Sequence, residues 1–405
     1  MRKVHAAALL AAFVFASVAG AAGVTLTVTH ELDAARPNAH VAVPFSQIAA
    51  FAPDLRMYHV IVRDAKGRAR PMQITNYEHD HRGAQYDDLV FDYDFAKGEK
   101  RATFTVEPVA QATPPDAQCA YARLVPERLD DIAWENDRIA HRAYGAALNS
   151  PAAGLERLRG SGIDVWGKRV TYPVIDRWYA KGHDQFHKDG EGEGLDLYSI
   201  GGSRGAGGSG VWDGAKLWTS DNYEHGTILS NGPRRAAFKL AYAPFGAGKG
   251  AFASSTMQVT TDCGDNLDAI DVTYDLSSNE GIVGIGIAEH PPVAGFPAAV
   301  LTQDTQGRWM SYWEDNEDGG LGVAVILAPG ETPAGFAHQD PDKQPGTGDN
   351  LLLVKAQDNV PLHYFAGAGW TGSRQFVDRA AWEKYVRGRA AEIAHPFTVT
   401  ASARP

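Results

Sequence analysis

Short runs rich in β-branched and aromatic residues recur along most of this chain, separated by turn formers such as AKG and AKGE. That alternation constrains the fold to a predominantly antiparallel β architecture. Runs at 24–29, 59–63, 89–93 and 102–106 suggest a small N-terminal β-sandwich over residues 22–118. A segment rich in Pro and Ala follows, and further runs at 236–243, 255–261, 267–274, 282–288, 321–327 and 351–355 point to a large antiparallel sandwich over 119–405. Helices are expected to be few, the best candidate spanning 378–391, with Ala381, Tyr385 and Val386 on one face and Lys384, Arg387 and Arg389 toward solvent.

The first 21 residues have the layout of an export signal: Arg2 and Lys3, an apolar run over 6–18, then the small residues Ala19, Gly20 and Ala21. Residues 1–21 are therefore expected to be removed, leaving a periplasmic or secreted protein. No later run is apolar and long enough for a membrane-spanning helix. The formal net charge of -11 argues against a nucleic-acid surface. It does not exclude an acidic ligand, because a few arginines converging in one cleft make a local positive field. The two cysteines, Cys119 and Cys263, either form one disulfide in an oxidising compartment or stay as buried thiols.

Chemistry is concentrated between Trp134 and Tyr223, where tryptophans, arginines, histidines, carboxylates and glycines alternate densely. Aromatic faces, charged groups and close backbone approach suit a polar, sugar-like ligand. GGSRGAGGSG lacks the GK[ST] of a phosphate loop and a βαβ setting, and Ser203 and Ser209 lie in no GxSxG elbow. His183 and His187 are four residues apart, but the surrounding glycines argue against the helix that would align them on a metal.

The succession WENDRIAHRAYG, SGIDVWGKRVTYPVIDRWY, HKDGEGEGLDLYSIGGSRGAGGSGVW and SDNYEHGTILSNGPRR, followed by RWMSYWE and YFAGAGW, resembles the DUF4861 family of exported bacterial proteins. The resemblance implies a small β domain followed by a β-supersandwich related to galactose-mutarotase-like domains, in proteins that work beside polysaccharide-degrading enzymes. It further implies β-elimination at a uronic acid of an oligosaccharide, by dehydratase or lyase chemistry, giving an unsaturated uronate.

That chemistry needs a cation for the carboxylate, a base for the C5 proton and an acid for the leaving oxygen. His187, Tyr223 and Arg204 are the catalytic candidates, and Arg138, Arg142, Glu135, Trp212, Glu193 and Trp313 are the substrate-binding candidates. No cofactor is expected, while a structural or catalytic divalent metal is left open. Two alternatives stand beside elimination: hydrolysis or epimerisation on the same scaffold, with Glu135 and Glu314 as a candidate carboxylate pair, and carbohydrate binding without turnover.

Overall fold

A computed structural model describes residues 23–79, 85–182, 187–340 and 348–404. The expected signal at 1–21 and His183 lie outside the described residues. The chain is mostly strand, and the ladders between its strands are antiparallel. No helix among the described residues is long and apolar enough to cross a membrane.

Two small sheets close over one core near the N-terminus. One runs in the order Thr398–Ala403, Val24–Thr29, Arg101–Pro108, Val60–Asp64 and Ala69–Arg70, and the other is Arg36–Pro44, Asp88–Phe95 and Met72–Ile74. Val24, Leu26 and Val28 alternate inward and meet Val41, Val43, Phe91 and Phe104. The edge strand comes from the far end of the chain, with Val24 opposite Ala403 and Thr29 opposite Thr398. Residues 398–403 therefore complete the N-terminal sandwich rather than the larger one.

The larger body pairs an eight-stranded sheet, from His225–Asn231 at one edge to Val300–Asp304 at the other, with a five-stranded sheet centred on Glu280–Glu289. Val283, Ile285 and Val354 of the smaller sheet share a core with Phe238, Val259, Ile270 and Val325 of the larger. The helix Arg379–Ala394 covers the outer face of the larger sheet through Trp382, Val386 and Ile393, which meet Trp309, Trp313 and Ile326. Asp378 caps it, accepting from the Ala381 amide at 2.8 Å. Arg389, expected in solvent, instead pairs with Asp265 and Glu392.

A third sheet positions the chemistry. Its strands are Tyr121–Val125, Asp131–Glu135, Ile139–Ala143, Asp164–Lys168 and Gly194–Asp196, in spatial order of the chain. One face, with Ile132, Trp134, Ile139 and Val165, joins the large core. The other carries Ala133, Ala140 and Trp166 under Ile175, Trp178 and Tyr179 of the helix Ile175–Lys181. Because both faces are covered, even the charged residues of the four strands beyond Tyr121–Val125 are buried. Cys119 and Cys263 form a disulfide with Cα atoms 5.9 Å apart, tying the entry of this sheet to the large one.

Candidate functional site

Strand periodicity brings an unusual set of charges to one buried face. Side chains two apart share a face, so Asp131 and Glu135, Arg142, Asp164 and Lys168, and Asp196 all lie on the Trp166 side, under the helix. At one end Lys168 Nζ donates to Glu135 Oε2 at 2.5 Å and to the Asn136 carbonyl at 2.6 Å. Glu135 also accepts from the amides of Val174 and Ile175 at 2.8–2.9 Å, where the helix begins.

At the other end Arg142 Nη2 lies 2.9 Å from Asp164 Oδ2 and 3.9 Å from Asp196 Oδ2, and its Nε lies 4.0 Å from Asp131 Oδ2. Burial pushes Asp131 up to about 6 against the pull of Arg142 and Arg128. It also pushes Asp164 and Asp196 upward, Asp164 further because Asp196 is beside it. Burial works against the Arg142 charge, but Asp164 and Asp131 outweigh it and hold the guanidinium firmly protonated.

One member of this group reaches solvent. The His187 side chain is 41% exposed, and its Nδ1 lies 3.4 Å from Asp196 Oδ2. An imidazole with one nitrogen facing a buried carboxylate has a fixed orientation, the arrangement used for general acid–base work. Lys188, the next residue, lines a hollow of about 210 Å³ together with Trp178, Lys181, Glu191 and Glu193. Burial works to raise Glu193, yet donation from Tyr172 Oη at 2.8 Å, Arg177 Nε at 2.9 Å and Trp178 Nε1 at 3.2 Å keeps its carboxylate below the ordinary range. The Tyr172 ring stands 47% exposed beside it.

A larger cleft, about 400 Å³, opens beyond Leu197 and Ser199, on the continuation of the same segment. His290 Nδ1 donates to both Glu314 oxygens at 2.9 Å, and its Nε2 donates to the Ser199 carbonyl at 2.5 Å. Both ring nitrogens face acceptors, a geometry that favours the protonated ring. Burial opposes that charge, but Glu314 outweighs it and the His290 pKa is raised. A histidine held this way links two walls of the cleft and is a poor base.

A family model described as "Domain of unknown function (DUF4861)" matches residues 28–399. The chain belongs to this DUF4861 family. A relative from Formosa agariphila, "Uncharacterized protein P7", is 33% identical over 288 residues, which are 69% of each chain. Two solved structures from Enterococcus faecalis are similar in outline to the DUF4861 chain. One, a protein in the glycosyl hydrolase family 38, has a TM-score of 0.48 at 11% identity, and the shared region covers 94% of this chain and 48% of that one. The other, an alpha-mannosidase, has a TM-score of 0.46 at 10% identity, with 94% and 46% covered. The chain thus spans about half the length of each structure.

The candidate residues of this DUF4861 chain separate into distinct settings. His187 and Arg142 meet through Asp196, and Glu193 borders the hollow that Lys188 lines. Glu135 is enclosed with Lys168, so it does not share the open cleft that Glu314 lines. Arg138 lies 3.4 Å from Asp137, which also accepts from the Gly264 amide beside the disulfide. Arg204 is buried, donating to Ser161 Oγ at 2.8 Å and the Gly202 carbonyl at 2.9 Å. Tyr223 is buried and donates to the Asp130 carbonyl. Trp212 packs against Leu217, Leu351 and Leu353, and Trp313 lies under the C-terminal helix with its Nε1 on Asp315 at 3.0 Å.

Asp131, Asp164, Asp196 and His290 were absent from the sequence candidates. The alternation in DIAWE, IAHRA and DVWGK was a usable signal for the first two, whereas the His290 to Glu314 contact spans 24 residues and has no local mark. Among the described residues, one His/Cys/Asp/Glu group has ligand atoms close enough together for a metal, namely Cys119, Asp137 and Cys263. Its two sulfurs are bonded to each other and offer no thiolate.

Proposed function

We propose that this protein is a carbohydrate-active enzyme outside the cytoplasm, forming an unsaturated uronate at a uronic acid of an oligosaccharide, with His187 as the base. The observation that carries this reading is the exposed His187 imidazole facing the buried Asp196 carboxylate. Lys188 in the adjoining hollow supplies a cation for the uronate carboxylate, Lys181 there being already paired with Glu191 at 2.7 Å, and the half-exposed Tyr172 ring supplies a sugar-facing surface. The Cys119–Cys263 disulfide supports a periplasmic or secreted setting.

In the proposed step the C5 proton passes to His187, the C5–H electron pair forms the C4=C5 bond, and the C4–O bond breaks. The leaving oxygen takes a proton from the phenol of Tyr172, whose hydrogen bond to Glu193 holds that proton in place by raising the phenol pKa. A departing hydroxyl leaves as water, and a departing glycosidic oxygen leaves as a shortened sugar chain. Asp196 stabilises the imidazolium, and Arg142 keeps Asp196 oriented from below.

The test is mass spectrometry and ultraviolet absorbance on uronate oligosaccharides incubated with the mature chain. Loss of water, or cleavage without water uptake, together with a new conjugated alkene is the expected result. His187→Ala should lower the rate at least about a hundredfold. Products carrying added water, or binding with unchanged masses, would overturn elimination in favour of hydrolysis or of binding alone.

A further inference from the structure

The cleft beside the His290 to Glu314 contact carries a second binding chemistry. Asn350 belongs to the strand Gly348–Gln357 and lies on the inward face with Leu352 and Val354, at the end where the core opens into the cleft. It is 4% exposed, and its Nδ2 has no hydrogen-bond acceptor among the described residues. An amide donor left unmatched at a core-facing position is costly, so its presence at a cleft wall points to an acceptor brought by a ligand.

The opposite polarity is supplied nearby. Glu289, Glu314 and Asp315 line the same cleft as hydrogen-bond acceptors, and each already has one internal donor: His338 at 2.7 Å, His290 at 2.9 Å and Trp313 Nε1 at 3.0 Å. A carboxylate oxygen has more than one lone pair, so these groups can still accept from a ligand hydroxyl. Pro291, Pro292 and Val293 form an exposed apolar wall. The described lining includes no Lys or Arg, and both ring nitrogens of His290 are occupied by Glu314 and Ser199.

A group that both accepts and donates, attached to a body with an apolar face and bearing no negative charge, fits these features. We infer that this cleft is a subsite for a neutral, hydroxyl-bearing sugar residue, distinct from the hollow beside His187, where Lys188 lies with the paired Lys181 and Glu191. The inference rests on the reading that the ligand is a carbohydrate, and it assigns the two ends of an oligosaccharide opposite chemistries: uronate by Lys188, neutral sugar by Asn350. A free uronate carboxylate in the cleft would face Glu289, Glu314 and Asp315 without a compensating cation.

The test is ligand-detected NMR on the mature chain carrying His187→Ala, so that turnover plays no part. The probes are the methyl glycosides of glucose, galactose and mannose, with methyl glucuronide as the charged control. At least one neutral glycoside should bind saturably, and the glucuronide should bind at least about tenfold more weakly through charge repulsion. Asn350→Asp, which exchanges the donor for another acceptor, should weaken neutral binding about tenfold. Val293→Trp, on the exposed wall, should also abolish it while leaving the core intact.

No binding of any neutral glycoside, equal binding of the glucuronide, or binding unchanged in both variants would overturn the subsite. Elimination is judged separately, by product mass with the native His187, so either reading can fail while the other stands.

Discussion

Lys168 Nζ and Glu135 Oε2 lie 2.5 Å apart with neither side chain exposed to solvent. The pair joins two strands of the third sheet to the start of the helix above them, because Glu135 also accepts from Val174 and Ile175. Removing one partner leaves a buried, uncompensated charge. Glu135→Ala should therefore cost about 3–5 kcal/mol of stability in urea unfolding. A loss below about 1 kcal/mol would show that Lys168 finds another partner or deprotonates readily.

In the proposed elimination Asp196 acts only through His187, which makes it a positioning residue there. Asp196→Asn should lower turnover of a uronate oligosaccharide at least about tenfold with KM little changed, because the imidazole loses the group that orients it. A change confined to KM would instead place Asp196 in ground-state binding.

Asp131 gives the protein a pH-dependent stability term of defined sign. Its folded pKa is raised to about 6 by burial. The folded state therefore holds a proton that the unfolded state has released between about pH 4 and pH 6, and this contribution is full at acid pH and lost as pH rises through about 6. Relative to the native chain, Asp131→Asn should gain on the order of 2–3 kcal/mol between about pH 4 and pH 7.5. Parallel stability profiles of the two proteins would refute the assignment.

His290 has the opposite chemistry, a cation held by an anion. Its raised pKa means that the stabilising charge is present below the ordinary histidine value and is lost as pH rises through the raised one. In an NMR titration both ring nitrogens should remain protonated above about pH 6.5, and Glu314→Gln should bring the midpoint down. A ring already neutral near about pH 6 would contradict the two-acceptor geometry.

The Cys119–Cys263 bridge closes a separation of 144 residues. Replacing both cysteines with serine should destabilise the fold by about 3–5 kcal/mol, seen as a lower unfolding midpoint that reductant no longer alters.

The β architecture was legible because alternation is local: VTLTVT over Val24–Thr29 announces its inward and outward faces within six residues. The C-terminal helix was legible too, over 378–391 through Ala381, Tyr385 and Val386, which pack against the same core as Trp382 and Ile393. Arg389 was misread because its partner Asp265 is 124 residues away. For the same reason Arg204, in a glycine-rich segment that suggests close ligand approach, proved to be enclosed by Ser161, Gly202 and Asp349.

By itself the sequence determined the class of fold, the membership of DUF4861 and the segment in which titratable residues are dense, since composition, period and ordered motifs are properties of neighbouring residues. Tertiary structure alone decided which of those residues share a face, which are sealed by a covering helix and which border open space. His187 and Asp196 are nine residues apart in sequence, but their contact exists because a strand end carries Asp196 under the segment that holds His187. Ion pairing, burial and pKa depend on those distances and on exclusion of water, which no local pattern encodes.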